Sequence, residues 1–334
     1  MSARNRIYPV FIPHLGCLHA CVFCNQHEIT GAAADEALRQ LNTLMESPPQ
    51  EEAYELAFYG GSFTAIPVPK QLKYLEAAKH AMEQGKVCSI RLSTRPDAID
   101  PETLERLNHY GVKTVELGAQ SMQDAVLRAS GRGHNAEDVC RASHMIREKG
   151  LKLVLQMMTG LPEDDDDSAV DTAHQLIALR PDAVRIYPTV IVRGTELETL
   201  WRNGQYREHT VEDAVRVCAK ILPLFEAAGI PVIRLGLNPT EELSGGAALA
   251  GAYHPALGEL VWSRILRNQA EQMLAEQNCK GKTVTIRVPE KKLSQMLGQK
   301  RCNITWLQKR FSLVNIIVAS DSDREQISIL QTLD

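Results

Sequence analysis

Cys17, Cys21 and Cys24 are spaced Cys-x3-Cys-x2-Cys, directly after the first apolar run, Ile7–Ile12. Three thiolates can hold three irons of a [4Fe–4S] cluster and leave the fourth open to a small molecule; ferredoxin-type carriers close each cluster with four cysteines. With 8 cysteines in 334 residues, this spacing arises by chance in roughly one chain in 200. The spacing alone also admits a zinc knuckle completed by His14, His19 or His27. Cys88, Cys140, Cys218, Cys279 and Cys302 show no paired spacing and read as reduced packing residues. Farther along, Gly60-Gly61-Ser62 offers a ligand close approach to the backbone and a hydroxyl.

These residues need a scaffold, and the hydrophobic pattern supplies one. Strand-length apolar runs at Ile7–Ile12, Glu55–Tyr59, Val87–Thr94, Thr114–Gln120, Leu153–Met158, Ala183–Val190 and Val232–Leu235 alternate with amphipathic helical segments. Pro101 suits a helix first turn, and Gly85, Gly111, Gly150 and Gly229 suit C-terminal stops. Repeated strand–helix alternation predicts a parallel sheet, and seven strands in sequence favour a partial or closed TIM-like (β/α) barrel, an α/β fold. Within strands, Val115, Leu117 and Ala119 share one face and Glu116, Gly118 and Gln120 the other; Arg91, Arg95, Arg185, Tyr187 and Arg234 also fall on polar faces. A polar, arginine-rich interior predicts a cavity that binds something, an anion being the natural candidate. The acidic run Glu163–Asp167 precedes a predicted helix and suits its N-terminus.

No apolar run reaches the ~18 residues of a membrane span, and the first residues lack the apolar core of a signal peptide. A cytoplasmic location away from membranes is expected. Residues 280–310 carry nine basic side chains, among them Lys291, Lys292, Lys300 and Arg301, against Glu290 alone. Such a block suggests a polyanion-binding module.

Pro9–Cys24, Gly60-Gly61-Ser62-Phe63, Glu116-Leu-Gly-Ala-Gln120, Gly131-Arg-Gly-His134 and Met157-Met-Thr-Gly-Leu-Pro162 together resemble the radical S-adenosylmethionine (radical SAM) enzymes. The Gln120 and Gly-Leu-Pro segments are similar to oxygen-independent coproporphyrinogen oxidases. Arg185–Leu197 is similar to the catalytic subunit of Elongator, a tRNA wobble-uridine modifying enzyme. The resemblance implies that Cys17, Cys21 and Cys24 hold a [4Fe–4S] cluster whose open iron chelates SAM. It places Phe23 near the adenine, Gly60, Gly61 and Ser62 at the SAM amino group, Arg132 at its carboxylate and Gln120 on SAM. Ser93 and Gln156 stand where the family has acidic residues contacting SAM. The reaction implied is reductive cleavage of SAM to a radical that takes hydrogen from the substrate, fed by an external flavodoxin- or ferredoxin-type donor.

Residues 282–319 read strand, helix, basic turn (Gly298–Arg301), helix, strand, which looks like a minimal KH-type RNA-binding unit. The organisation expected is a core over 1–280 and a small basic α/β domain over 281–334 with an RNA-binding role. A tRNA base is the substrate expected, with Arg95, Arg185, Tyr187, Arg193, Lys291, Lys292, Lys300 and Arg301 as its contacts. The alternative is an anionic small molecule such as a tetrapyrrole.

Overall fold

A computed structural model describes residues 6–12, 21–25, 36–46, 54–237, 243–322 and 327–331. Cys17 and the three candidate zinc-binding histidines lie outside these. The chain forms two compact units, residues 1–210 with 224–253, and 211–223 with 254–334.

The first unit is built on seven parallel strands: β1 (Ile7–Phe11), β2 (Tyr54–Tyr59), β3 (Val87–Thr94), β4 (Val112–Gln120), β5 (Lys152–Thr159), β6 (Ala183–Pro188) and, past a short β7 (Val190–Val192), β8 (Val232–Leu235). Their order in the sheet is 1-2-3-4-5-6-8, so each crossover adds the next neighbour. That sequential order belongs to a barrel wall and not to a doubly wound sheet. Among the described residues β1 and β8 do not pair, and the sheet is a curled half-barrel. The partial form of the expected barrel is the one realised.

Helices α1 (Glu36–Glu46), α2 (Val68–Glu83), α3 (Pro101–His109), α4 (Asp124–Ala129), α5 (Ala136–Glu148), α6 (Asp166–Ala178), α7 (Glu196–Arg202) and α8 (Val211–Ala227) fill the connections. Their starts are chemically marked. Asp100 accepts the Thr103 amide ahead of Pro101 in α3, and Asn135 forms a capping box with Asp138 in α5. Asp165 does the same with Ser168 in α6, which accounts for the acidic run in front of that helix. The strand faces expected to be apolar are buried: Ile90, Leu92, Val115, Leu117, Ala119, Val184 and Ile186 have no exposed surface. The edge strand β8 departs from this, with Ile233 at 41 % exposure.

Three pieces of the first unit differ from the sequence expectation, the short helix α4 among them. The strand expected through Val190 stops at Pro188; residues Val190–Val192 pair instead, antiparallel, with β9 (Ala248–Gly251). Helix α7 was not anticipated, and its Leu197 packs with Val22, Ile191 and Tyr206 in a small core of its own.

The second unit contains residues 211–223 of α8, α9 (Leu257–Ala275), β10 (Thr283–Pro289), α10 (Leu293–Leu297), α11 (Cys302–Phe311), β11 (Asn315–Asp321) and β12 (Ser328–Gln331). Strands β10 and β11 pair in parallel and β12 joins β10 antiparallel. Leu266, Ala270 and Leu274 of α9 share one core with Val284, Ile286, Val288, Met296, Ile304 and Leu307. A cut after residue 280 would part those α9 side chains from the strand they pack on. His254 accepts the Ala256 amide near the start of α9, and Glu259 accepts a bond from Gln295. No described helix is long and apolar enough to cross a membrane.

Candidate active site

The described part of the cysteine loop is fixed by backbone bonds. The Cys24 amide donates to the Cys21 carbonyl (3.0 Å), and Val22 donates to Ser130 (3.2 Å). Later residues hold the loop from the other side: Leu197, in the first turn of α7, donates its amide to Val22 (2.8 Å), and Asn25 donates its side chain to the Arg193 carbonyl. The segment Arg193–Leu197 therefore buttresses the cysteines. Phe23 is partly buried against the Val22–Ile191–Leu197–Tyr206 cluster.

At the C-terminal end of β4 the backbone is strained. Gln120 has a φ of 67°, and the Ser121 amide bonds back to the Ala119 carbonyl at 2.9 Å, which is a γ-turn. The β4–β5 register shifts there, between Gly118 and Gln120. Such strain persists only where its surroundings impose it and gathers at functional sites. His134 donates Nε2–H to the same Ala119 carbonyl at 3.2 Å and is buried. Burial, reinforced by the positive charge of Arg132, lowers its pKa to about 4, so the ring is neutral.

Arg132, 7 % exposed, directs Nη1 to Cys21 Sγ at 3.2 Å and Nη2 to the Gly118 carbonyl at 2.7 Å. Gly118 permits this crowding, since a Cβ there would sit 2.9 Å from Gln120 Nε2 and 3.3 Å from Arg132 Nη2. Arg132 Nε and Gln120 Oε1 are buried without a partner among the described residues. Orphaned buried polar atoms cost free energy and mark a place where a ligand group is missing.

These residues fit the expected groups. Thiols at Cys21 and Cys24 are the donors an iron–sulfur cluster takes, and neither is in a disulfide. The orphaned donor of Arg132, whose Nη1 touches Cys21, and the orphaned acceptor of Gln120 match a carboxylate-bearing, hydrogen-bonding cosubstrate. Cys17 lies outside the described residues, so two of the three thiols are visible; among described residues no trio of His, Cys, Asp or Glu is placed to hold a metal. At the end of β2, Gly60 (φ 96°) and Gly61 lead to the buried Ser62. Ile12, which opens the cysteine loop, donates to the Tyr59 carbonyl at 2.9 Å.

The half-barrel interior carries the arginines that the alternation placed there, but with partners. Glu116, fully buried, accepts from Arg91 Nη1 (2.8 Å), Tyr59 Oη (3.0 Å), Arg185 Nη2 (3.0 Å) and Gln156 Nε2 (3.3 Å). Arg91 also reaches Glu55 at 2.9 Å. Burial works against the charge on Arg91 and Arg185, yet their carboxylate partners prevail and raise both pKa values. Burial and the nearby Glu116 raise the pKa of Tyr59, which stays a donor. The expected anion trap is thus a lattice whose charges balance internally. Ser93 is half-buried beside Glu116 in register; Gln156 belongs to the lattice.

Of the expected substrate contacts, Arg185 is spent on Glu116, and Tyr187 accepts from Arg185 at 3.4 Å. Arg95, 3 % exposed, grips Asp97 with Nε (2.9 Å) and Nη2 (3.1 Å) and donates to the Arg132 carbonyl. Arg193 is exposed, and its side chain makes one long bond among the described residues, to the Gly246 carbonyl. In the second unit Lys291, Lys300 and Arg301 are exposed, and Lys292 lies 5.0 Å over the Trp262 ring. Sequence reasoning missed Tyr59, Asn25 and Asp97. Only Asp97 left a trace, as the carboxylate two residues after an arginine at a strand end.

Residues 11–176 match the family described as the radical SAM superfamily, and residues 181–267 match its C-terminal domain. Human Elongator complex protein 3 is 30 % identical over 231 residues, 63 % of this chain and 41 % of that protein. A tRNA uridine(34) acetyltransferase of Methanocaldococcus jannaschii is 27 % identical over 183 residues, 49 % of this chain and 34 % of that protein. The chain thus spans about two fifths or less of the length of these relatives. The solved structure of the archaeal Methanocaldococcus infernus Elp3 superposes with a TM-score of 0.61 at 21 % identity, covering 79 % of this chain and 63 % of that one, and shares the fold.

Proposed function

The chain is an enzyme of the radical SAM superfamily, and from that premise we propose that it modifies an RNA, most directly a tRNA base. In this reading Cys17, Cys21 and Cys24 hold a [4Fe–4S] cluster. Gly60, Gly61 and Ser62 receive the SAM amino group, Arg132 and Gln120 its polar remainder, and Phe23 lies toward the adenine, with Ser93 and Gln156 nearby. When bound, the cluster would supply one electron to the sulfonium of SAM, whose S–C5′ bond would break to give methionine and a 5′-deoxyadenosyl radical able to take a hydrogen atom from the substrate. The protein's own part is to orient SAM through Arg132 and the strained Gln120 turn, and to exclude water with the Glu116 lattice. An external one-electron donor of the flavodoxin or ferredoxin type, and a cytoplasmic setting, belong to the same proposal.

The observation that carries RNA is the basic turn of the second unit. Lys300 (φ 50°) and Arg301 (φ 60°) both adopt the left-handed conformation that glycine takes freely, and both are exposed. Two successive cations fixed this way, ahead of α11, suit a nucleic-acid backbone. The relatives named as tRNA-modifying point the same way. A tetrapyrrole would draw on cations of the half-barrel; Arg91 and Arg185 are already paired with Glu116, and Arg234 donates Nε to the Gly236 carbonyl with no carboxylate partner among the described residues.

Two measurements test this. Reconstituted without air and supplied with dithionite and SAM, the protein is expected to release 5′-deoxyadenosine; none above a Cys21→Ala control refutes the radical reading. The double variant Lys300→Gln/Arg301→Gln is expected to weaken tRNA binding and reduce the log–log salt slope by about 2, one per phosphate contact. An unchanged affinity and slope removes the turn from the RNA site. Point changes are preferred to truncation because α9 belongs to the core of the second unit.

A further inference from the structure

We propose that Arg132 is a charged hydrogen-bond donor that sets the reduction potential at Cys21, and that Arg95 and Asp97 are the positioning residues that keep it there. This rests on the cluster-binding reading above and extends it to a property that the reading does not require.

Arg132 presents a problem of charge balance. Its guanidinium is buried, and among the described residues it makes no ion pair with a carboxylate. A desolvated cation without a counter-charge is expensive, and the free energy is recovered only if an anion lies against it. The group opposite Nη1 is the sulfur of Cys21, at 3.2 Å. A thiolate there, as in a metal-bound cysteine, is the missing negative charge. Nη2 is fixed on the Gly118 carbonyl, so the planar group cannot swing away from the sulfur without losing that bond. Nε–H remains without a partner and available to SAM.

The support behind Arg132 is equally specific. Arg95 donates to the Arg132 carbonyl, which fixes the backbone from which the guanidinium extends. Arg95 is in turn held by both carboxylate oxygens of Asp97 and is neutralised by them. Its charge therefore leaves Arg132 as the cation acting on the sulfur. The neighbouring His134 adds none, being a neutral donor to Ala119.

Hydrogen bonds to cluster sulfurs and nearby positive charge stabilise the reduced, more negative state and raise the potential. Removing Arg132 is expected to lower it. The test is an EPR-monitored redox titration of the reconstituted protein in the absence of SAM, on wild type, Arg132→Met, Arg132→Gln and the charge-neutral double variant Arg95→Met/Asp97→Asn, with Arg141→Gln on the outer face of α5 as a control. Arg132→Met is expected to shift the reduction equilibrium about tenfold toward the oxidised state, or 59 mV for one electron. Arg95→Met/Asp97→Asn, which removes the support without changing the net charge, should shift it in the same direction by less, and Arg141→Gln should leave it unchanged. If Arg132→Met retains a full cluster by iron and sulfide analysis at the wild-type potential, the proposal is overturned. If that variant loses the cluster, Arg132→Gln, which removes the charge and keeps a polar side chain, carries the decision: a lowered potential supports the charged-donor role and an unchanged one overturns it. Failure of the wild type to take up a cluster refutes the underlying assignment instead, so the two failures are distinct.

Discussion

Replacing Glu116 with glutamine removes one charge and almost no volume, yet it should be among the most damaging changes in the first unit. The Glu116 side chain is 1 % exposed, and those of Arg91 and Arg185 are 14 % and 13 % exposed. Arg91 keeps Glu55 as a second partner, but Arg185 has no other carboxylate among the described residues. The variant therefore strands a largely buried guanidinium. Removing one member of a buried pair costs about 3–5 kcal/mol. Glutamine retains an acceptor, and Arg185 still reaches Tyr59 and Tyr187, so the lower end, about 3 kcal/mol, is expected. At 2–4 °C per kcal/mol for a unit of this size, Tm falls by about 6–12 °C. Equilibrium urea denaturation followed by circular dichroism measures the loss directly. The double variant Glu116→Gln/Arg185→Met should recover about 2 kcal/mol of it, because the stranded charge goes too. A single-variant loss below about 1 kcal/mol, or strict additivity in the double, would refute the account of the lattice as a charge-balanced core.

Three further outcomes follow from particular contacts. Gly160 has a φ of 74°, and a Cβ on it would meet His209 Cγ at 2.0 Å, whereas Gly204 (φ 72°) has open space around it; Gly160→Ala should cost at least about 2 kcal/mol and Gly204→Ala about 1, as paired denaturation curves would read. His134 titrates near 4 when folded and near 6.5 when unfolded, so below pH 6.5 the unfolded chain gains the proton first. Stability should then fall by about 1.4 kcal/mol per pH unit down to about pH 4, and this part of the slope should vanish in His134→Asn. Gly118→Ala should press on Gln120 and Arg132 and weaken SAM binding about tenfold, with little change in Tm, as equilibrium dialysis and a thermal melt would show.

The strands of the half-barrel were legible because each buries one full face. Ile90, Leu92, Val115 and Leu117 alternate with polar neighbours, and the breaks fall at Gly111 and Gly150, where φ is 81° and 75°. The β7–β9 pair was not, since Val190–Val192 is a buried apolar run without alternation and its partner is Ala- and Gly-rich. Helix α9 did leave a trace in Leu257, Val261 and Ile265, but its polar residues are spread around the axis and blunt the contrast. At the site, the cysteine spacing and the residues at the strand ends could be read directly. What Arg91, Arg95, Arg132 and Arg185 bind could not. Those partners depend on the register between neighbouring strands and on loop returns, as in Asp97 with Arg95 or Cys21 with Arg132, and a one-dimensional pattern carries neither.

The loop bearing Cys21 and Cys24 leaves the ribosome early, but the groups that pin it arrive late. Asn25 and the Arg193 carbonyl that it grips are 168 positions apart, and Leu197 comes later still. At about 5–20 residues per second, some 8–35 s of synthesis separate the two. Throughout that interval the thiols sit on an unsecured loop, open to oxidants. On the proposed cluster assignment, loading follows the synthesis of Arg193–Leu197, because the groups that pin the stretch from Val22 to Asn25 do not exist before then.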